Sequence, residues 1–68
     1  MKTESLGDAY PKEQARLREL LTEYEAIGPV GAFGLAVIKD VLRRADEAAI
    51  SGDLVVMIRL YHEMKEYQ

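Results

Sequence analysis

The chain has no cysteine and no tryptophan, and only two prolines, one phenylalanine and one histidine in 68 residues. Each shortage excludes something. Without cysteine there is no disulfide framework, and the thiolate-based metal sites of small domains are absent. With one histidine, the two-histidine helical zinc motif is absent too. There is no long run of one charge sign. The balance is four basic and six acidic residues over 1–28, three and three over 29–52, and two and three over 53–68. A basic stripe for phosphates is therefore missing, and nucleic-acid binding is not expected. A dense acidic face that could mimic nucleic acid is missing as well. After Met1 the residues Lys2 to Asp8 contain no apolar run, so no secretory signal is read here. The absence of cysteine fits a reducing compartment, and a cytoplasmic location is expected.

What is present is apolar residue content, 49%, too high for a disordered chain. One small domain is the ceiling. Below ~70–80 residues a single core rarely supplies more than ~3–5 kcal/mol unless a disulfide, a metal or a partner chain helps. With the first removed and the second weakened, a second copy of the chain is the expected help.

Periodicity then gives three helices and no strand. Pro11 reads as a first helical position, with Tyr10 a poor cap and Asp8 an alternative. Leu17, Leu20, Leu21, Tyr24 and Ile27 follow at three- and four-residue spacing over an arc of about 120°. Gly28-Pro29 ends the run. The first helix is predicted over 11–27, behind a flexible lead-in at 1–9 and within a single helical domain at 10–68. Gly34, Leu35, Val37, Ile38, Val41, Leu42, Ala45, Ala48 and Ala49 fill about 160° of a second helix over 32–50. Asp40 and Arg44 form a favourable i,i+4 pair there, and Ser51-Gly52 closes it. Asp53 is a strong N-cap for a third helix over 54–67. Its apolar arc reaches about 200°, through Leu54, Met57, Ile58, Tyr61 and Met64 and then Val56, Leu60 and Tyr67. Short connections make neighbouring helices antiparallel. The expected fold is all-α: a small three-helix bundle, up-down-up, or a helical hairpin with an N-terminal helical arm.

Candidate chemistry is sparse. Gly28, Gly31 and Gly34 suggest a phosphate loop only until the Walker and Rossmann patterns are sought and not found. They read instead as a cap, a turn and a close helix approach. Ala26 to Ile38 is an uncharged run of 13 residues with one phenylalanine and three glycines. It is too short to span a bilayer, which takes ~20 residues, and has no flanking basic cluster. Shallow insertion of this segment at a membrane surface is the alternative functional reading, although membrane association is not the favoured one. His62, beside Glu63 and one turn before Glu66, reads as a solvated surface histidine. The hydroxyls of Thr3, Ser5, Thr22, Ser51 and the four tyrosines pair with no base. The protein is therefore expected to be non-enzymatic, with no catalytic, cofactor-binding or metal-binding residue and no cofactor.

The run Ala45-Asp46-Glu47-Ala48, Ser51-Gly52-Asp53-Leu54 and Ile58-Arg59-Leu60-Tyr61-His62-Glu63-Met64-Lys65 resembles one helix–turn–helix unit of the pentatricopeptide or tetratricopeptide repeats. The resemblance implies a packed antiparallel hairpin. Solenoids need three or more units and one is present, so the repeats' RNA- or peptide-reading positions do not carry over.

The surplus apolar arc of the third helix points to a partner. A bundle helix buries about 100–140° of its surface, which leaves Val56, Leu60, Met64 and Tyr67 as the candidate interface. Met and Tyr are enriched in interfaces, and a symmetric homodimer is the commonest outcome. The expected function is a small interaction module, an adaptor or inhibitor that docks on an unknown protein partner. Compact helical proteins of this kind are common among phage and mobile-element accessory genes.

Overall fold

The computed structural model describes residues 5–67 and contains no strand among them. Helix α1 runs Leu6–Ile27, α2 runs Ala32–Ser51 and α3 runs Leu54–Met64; a 3-10 turn, Gly28–Gly31, joins the first two. The chain is a small all-α bundle.

Helix α1 begins five residues before the predicted start at 11. Ser5 is its N-cap: its Oγ accepts from the Asp8 amide at 3.3 Å and donates to the Asp8 carboxylate at 3.1 Å. This is a variant of the capping box, with Asp where Glu is usual. Pro11 therefore lies inside the helix. A proline there withholds one backbone hydrogen bond, and the carbonyl it would have served belongs to Gly7, which is exposed and open to water. The early start is fixed by burial: Ala9 and Tyr10 are 8% and 1% exposed. Of the lead-in expected at 1–9, residues 1–4 lie outside the described residues, and Ser5 to Ala9 are cap and first turn.

Gly28 (φ 84°) and Gly52 (φ 73°) stop α1 and α2 in the left-handed region that glycine tolerates. Gly31 and Gly34 serve differently. A methyl on Gly31 would sit 2.8 Å from the Tyr24 carbonyl oxygen, and one on Gly34 would land on the Tyr24 ring. The two helices approach closely here because these positions have no side chain.

Asp53 caps α3, accepting from the Val56 amide at 3.2 Å. The helix stops at Met64, three residues short of the predicted end, and a turn carries the chain to Tyr67. Tyr10 meets Ala45, Gly34 meets Tyr24, Arg44 meets Glu63 and Arg16 meets Met64. Those pairs make α1 antiparallel to α2, and α2 antiparallel to α3: up, down, up.

The core is Tyr10, Leu17, Leu20, Ile38, Val41, Leu42, Ala45, Ala48, Leu60 and Met64, with no buried polar side chain among the described residues. The small residues Ala45 and Ala48 let the other two helices settle close to α2. The molecule is thin: its Cα extents are 38 × 29 × 15 Å and its radius of gyration is 12.7 Å. A compact domain of this length is expected near about 11 Å.

Candidate interaction surfaces

Long side chains between helices define which face of each is inward. Arg16 on α1 donates from Nη1 to the Tyr67 carbonyl and from Nη2 to the Met64 carbonyl, both at 2.7 Å, and pairs with Glu13 at 2.9 Å. It therefore caps the end of α3 with a cation, where the helix dipole favours one. Arg44 on α2 reaches Glu63 of α3 at 2.9 Å and Asp40 of its own helix at 3.0 Å. Glu63 and Asp40 together hold the Arg44 guanidinium protonated well above its ordinary range. Asp40 also takes Arg43 at 2.8 Å, and hydrogen bonds from Arg43 and Arg44 hold its carboxyl below its usual value. Between α1 and α2, Asp46 accepts from both Gln14 and Arg18 at 2.7 Å. Tyr10 donates its hydroxyl to the Ala45 carbonyl at 2.8 Å; burial first, then the Asp46 charge, raises its phenol.

These contacts turn α3 so that Leu60 (4% exposed) and Met64 (0%) face the core, with Met57, Tyr61 and Tyr67 packed at its edge. Of the four residues expected at an interface, Leu60 and Met64 lie inside the monomer's own core. Tyr67 is half-buried against the core, and Val56 is 37% exposed. The apolar surplus of α3 is real, but it lies on the other side: Leu54, Val55 and Ile58 are 59%, 61% and 44% exposed. They occupy roughly a 100° sector, which His62 and Lys65 continue. Lys65 donates to the Tyr61 hydroxyl at 3.1 Å and lies 4.9 Å from its ring centroid.

A second apolar surface lies at the far end of the α1–α2 hairpin. Ile27, Val30 and Phe33 are 57%, 90% and 83% exposed there, within the uncharged segment 26–38.

A shallow cleft of about 500 Å3 separates α2 from α3 on the side away from α1. Ala48, Val56 and Leu60 form its apolar part, and Arg44, Glu47, Arg59 and Glu63 its charged part. Four of its polar residues, Arg44, Glu63, Ser51 and Asp53, are occupied in holding the fold. Arg44 and Glu63 hold each other, the Ser51 hydroxyl donates to the Ala48 carbonyl at 3.2 Å, and Asp53 caps α3. His62 is exposed and packs edge-on against Tyr61, with ring centroids 5.6 Å apart. Among the described residues, no three His, Cys, Asp or Glu side chains gather as a metal site, and no helix is long and apolar enough to cross a membrane.

Sequence reasoning missed Tyr10, Arg16 and Asp46, the residues that tie the helices together. Tyr10 had a visible signal, since it stands seven residues before Leu17 on the same helix face. Arg16 and Asp46 had none, because their partners lie on other helices. Comparison with family models, with curated proteins and with solved structures gives no match.

Proposed function

We propose that the protein is a small non-enzymatic interaction module, an adaptor or inhibitor, which docks on another protein through an exposed apolar helical face and also self-associates. The observation that carries this reading is the outer face of α3. Leu54, Val55 and Ile58 are neither in the core cluster nor among the residues packed against it, and they remain largely exposed on a helix whose inner half is already satisfied. Contiguous exposed apolar side chains of this kind mark binding surfaces on small proteins. The cysteine-free chain suits a reducing environment, and the cytoplasm is the compartment this reading assumes. The test is a pull-down from the native host with wild type and Ile58→Glu. One stoichiometric partner, lost in Ile58→Glu while helicity by circular dichroism is unchanged, supports the reading. No partner, or a partner indifferent to the substitution, defeats it.

A second reading rests on Val30 and Phe33, the most exposed large apolar residues of the segment Ala26 to Ile38. Such a tip suits shallow insertion between lipid headgroups. Co-sedimentation with neutral and anionic liposomes decides it.

A further inference from the structure

Helix α3 is half as long as the helices it packs against. Its 11 residues span about 16 Å, against about 33 Å for the 22 residues of α1 and about 30 Å for the 20 of α2. It starts beside the C-terminal end of α2 and stops where Arg16 takes the Met64 and Tyr67 carbonyls. Beyond that point none of the described residues forms a third helix beside the hairpin.

The exposed residues of the distal hairpin line that vacant position. Arg16 marks the strip of α1 that faces α3, and Ile27 stands 11 residues later, about 20° off the same line. Arg44 marks the corresponding strip of α2, and Val37 and Phe33 stand seven and 11 residues earlier, each within about 20°. The strip stays covered one turn past Arg16 and opens only toward the tip of the hairpin. Leu20 is 9% exposed, whereas Ile27 is 57% and Phe33 83% exposed. The open part of the channel is about 10 Å long from Leu20 to Ile27, about two helical turns, and Glu23 stands on its α1 wall, seven residues past Arg16 and within about 20° of the same line.

We propose that the distal hairpin of a second copy of this chain fills the channel, the two arms packing across a twofold axis as a four-helix bundle. The proposal rests on the self-association in the reading above and gives it a surface. Three observations choose this occupant. First, a twofold contact is self-complementary: residue i of one copy meets j of the other and j meets i, and only residues near the axis meet their own equivalents. A patch of one charge sign would therefore oppose it. The chain carries −3 overall, yet Ile27, Val30 and Phe33 lie in its longest uncharged run, 26–38, and Glu23 is the acid that borders them on the α1 wall. Second, the area suffices for a weak dimer. At about 150–200 Å2 per fully exposed side chain, Ile27, Val30 and Phe33 offer roughly 400 Å2 from each copy. Doubled, that is about 800 Å2 in all, below the ~1,000 Å2 of a lasting interface and fitting a weak, concentration-dependent dimer. Third, two hairpins of this kind have the parts of a four-helix bundle and each lacks the other half. A membrane is the poorer occupant, because Glu23 and Glu25 precede the segment and no basic cluster flanks it.

Sedimentation equilibrium over roughly 1–200 µM, bracketing the micromolar Kd that an interface of this size gives, tests the proposal on wild type, Phe33→Glu and Ile58→Glu. Wild type is expected to be a reversible dimer. Phe33→Glu, at a position outside the core, is expected to weaken it at least about tenfold, roughly one buried aromatic anchor's share, with helicity unchanged and with the unfolding midpoint unchanged at dilutions where both proteins are monomers. Ile58→Glu is expected to dimerise like wild type, which separates this contact from docking on the outer face of α3. A monomer throughout overturns the proposal, as does a dimer that Phe33→Glu leaves intact. A monomer that binds phosphatidylcholine vesicles through Phe33 overturns it in favour of the lipid surface.

Discussion

Replacing Arg16 with methionine tests whether one side chain holds the end of α3. The substitution keeps the aliphatic stem and removes the guanidinium. Two hydrogen bonds disappear, to the carbonyls of Met64 and Tyr67, each 2.7 Å long. Bonds to a charged donor contribute about 1.5–3 kcal/mol each when shielded. The Arg16 side chain is 38% exposed, so solvent screening reduces this substantially. Glu13, only 17% exposed, also loses its cation. A net loss of about 2 kcal/mol follows, with a fall in Tm of roughly 8–16 °C for a domain of this size. Pairing the change with Glu13→Gln removes the stranded carboxylate and should recover part of the loss. Arg16→Lys should fall between, since an ammonium is a point donor and cannot serve two carbonyls with a planar fork. Urea unfolding followed by circular dichroism gives the stability. Amide exchange in the last turn of α3 shows where it was lost. A change within about 0.5 kcal/mol, typical of a plain surface site, with unaltered exchange near Met64, would refute the reasoning.

Tyr10→Phe removes the hydroxyl that donates to Ala45 and should cost about 1 kcal/mol at neutral pH. Burial and Asp46 raise the Tyr10 phenol above its ordinary value of 10.0, so the folded state keeps its proton longer than the unfolded one. Stability is then intact below pH about 10 and falls as pH rises through the unfolded value toward the raised one. Tyr67 shifts the same way, through burial and then Glu63 and Glu66. Tyr10→Phe should therefore flatten part of the alkaline loss in urea midpoints, and an identical slope would count against it. Gly34→Ala should destabilise by about 0.5–1 kcal/mol, because displacing the Tyr24 ring outweighs the gain in helix propensity. Adding Tyr24→Leu should restore that gain in thermal melts, and a single variant more stable than wild type would contradict the packing.

Local chemistry was legible in this sequence and tertiary choice was not. The two positive-φ glycines, the Asp53 cap and the stripe Ile38, Val41, Leu42, Ala45 and Ala48 act within a few residues, so they could be read directly. The start of α1 was misplaced because Pro11 is a loud start signal, while Ser5 and Asp8 form the quieter capping pair. The end of α3 depends on Arg16, 48 residues before Met64 in the chain, and no local pattern reports that. The surplus on α3 was visible as an apolar arc wider than a bundle helix buries. Which half turns inward is set by Arg44 pulling on Glu63 and by room beside Ala45 and Ala48, so Leu60 and Met64 go in and Leu54 and Ile58 stay out. The glycines of the first turn were legible as structural, whereas the open channel beyond α3 depends on where that helix stops.

The placement of Pro11 inside α1 also sets the smallest piece of this chain that can hold its own shape. A fragment trimmed to begin at the proline looks tidy by composition, yet it discards Tyr10, among the largest fully buried side chains, along with the cap that orders the first turn. A linker or fusion joined any later than Ser5 would be spliced into the helix and its buried first turns.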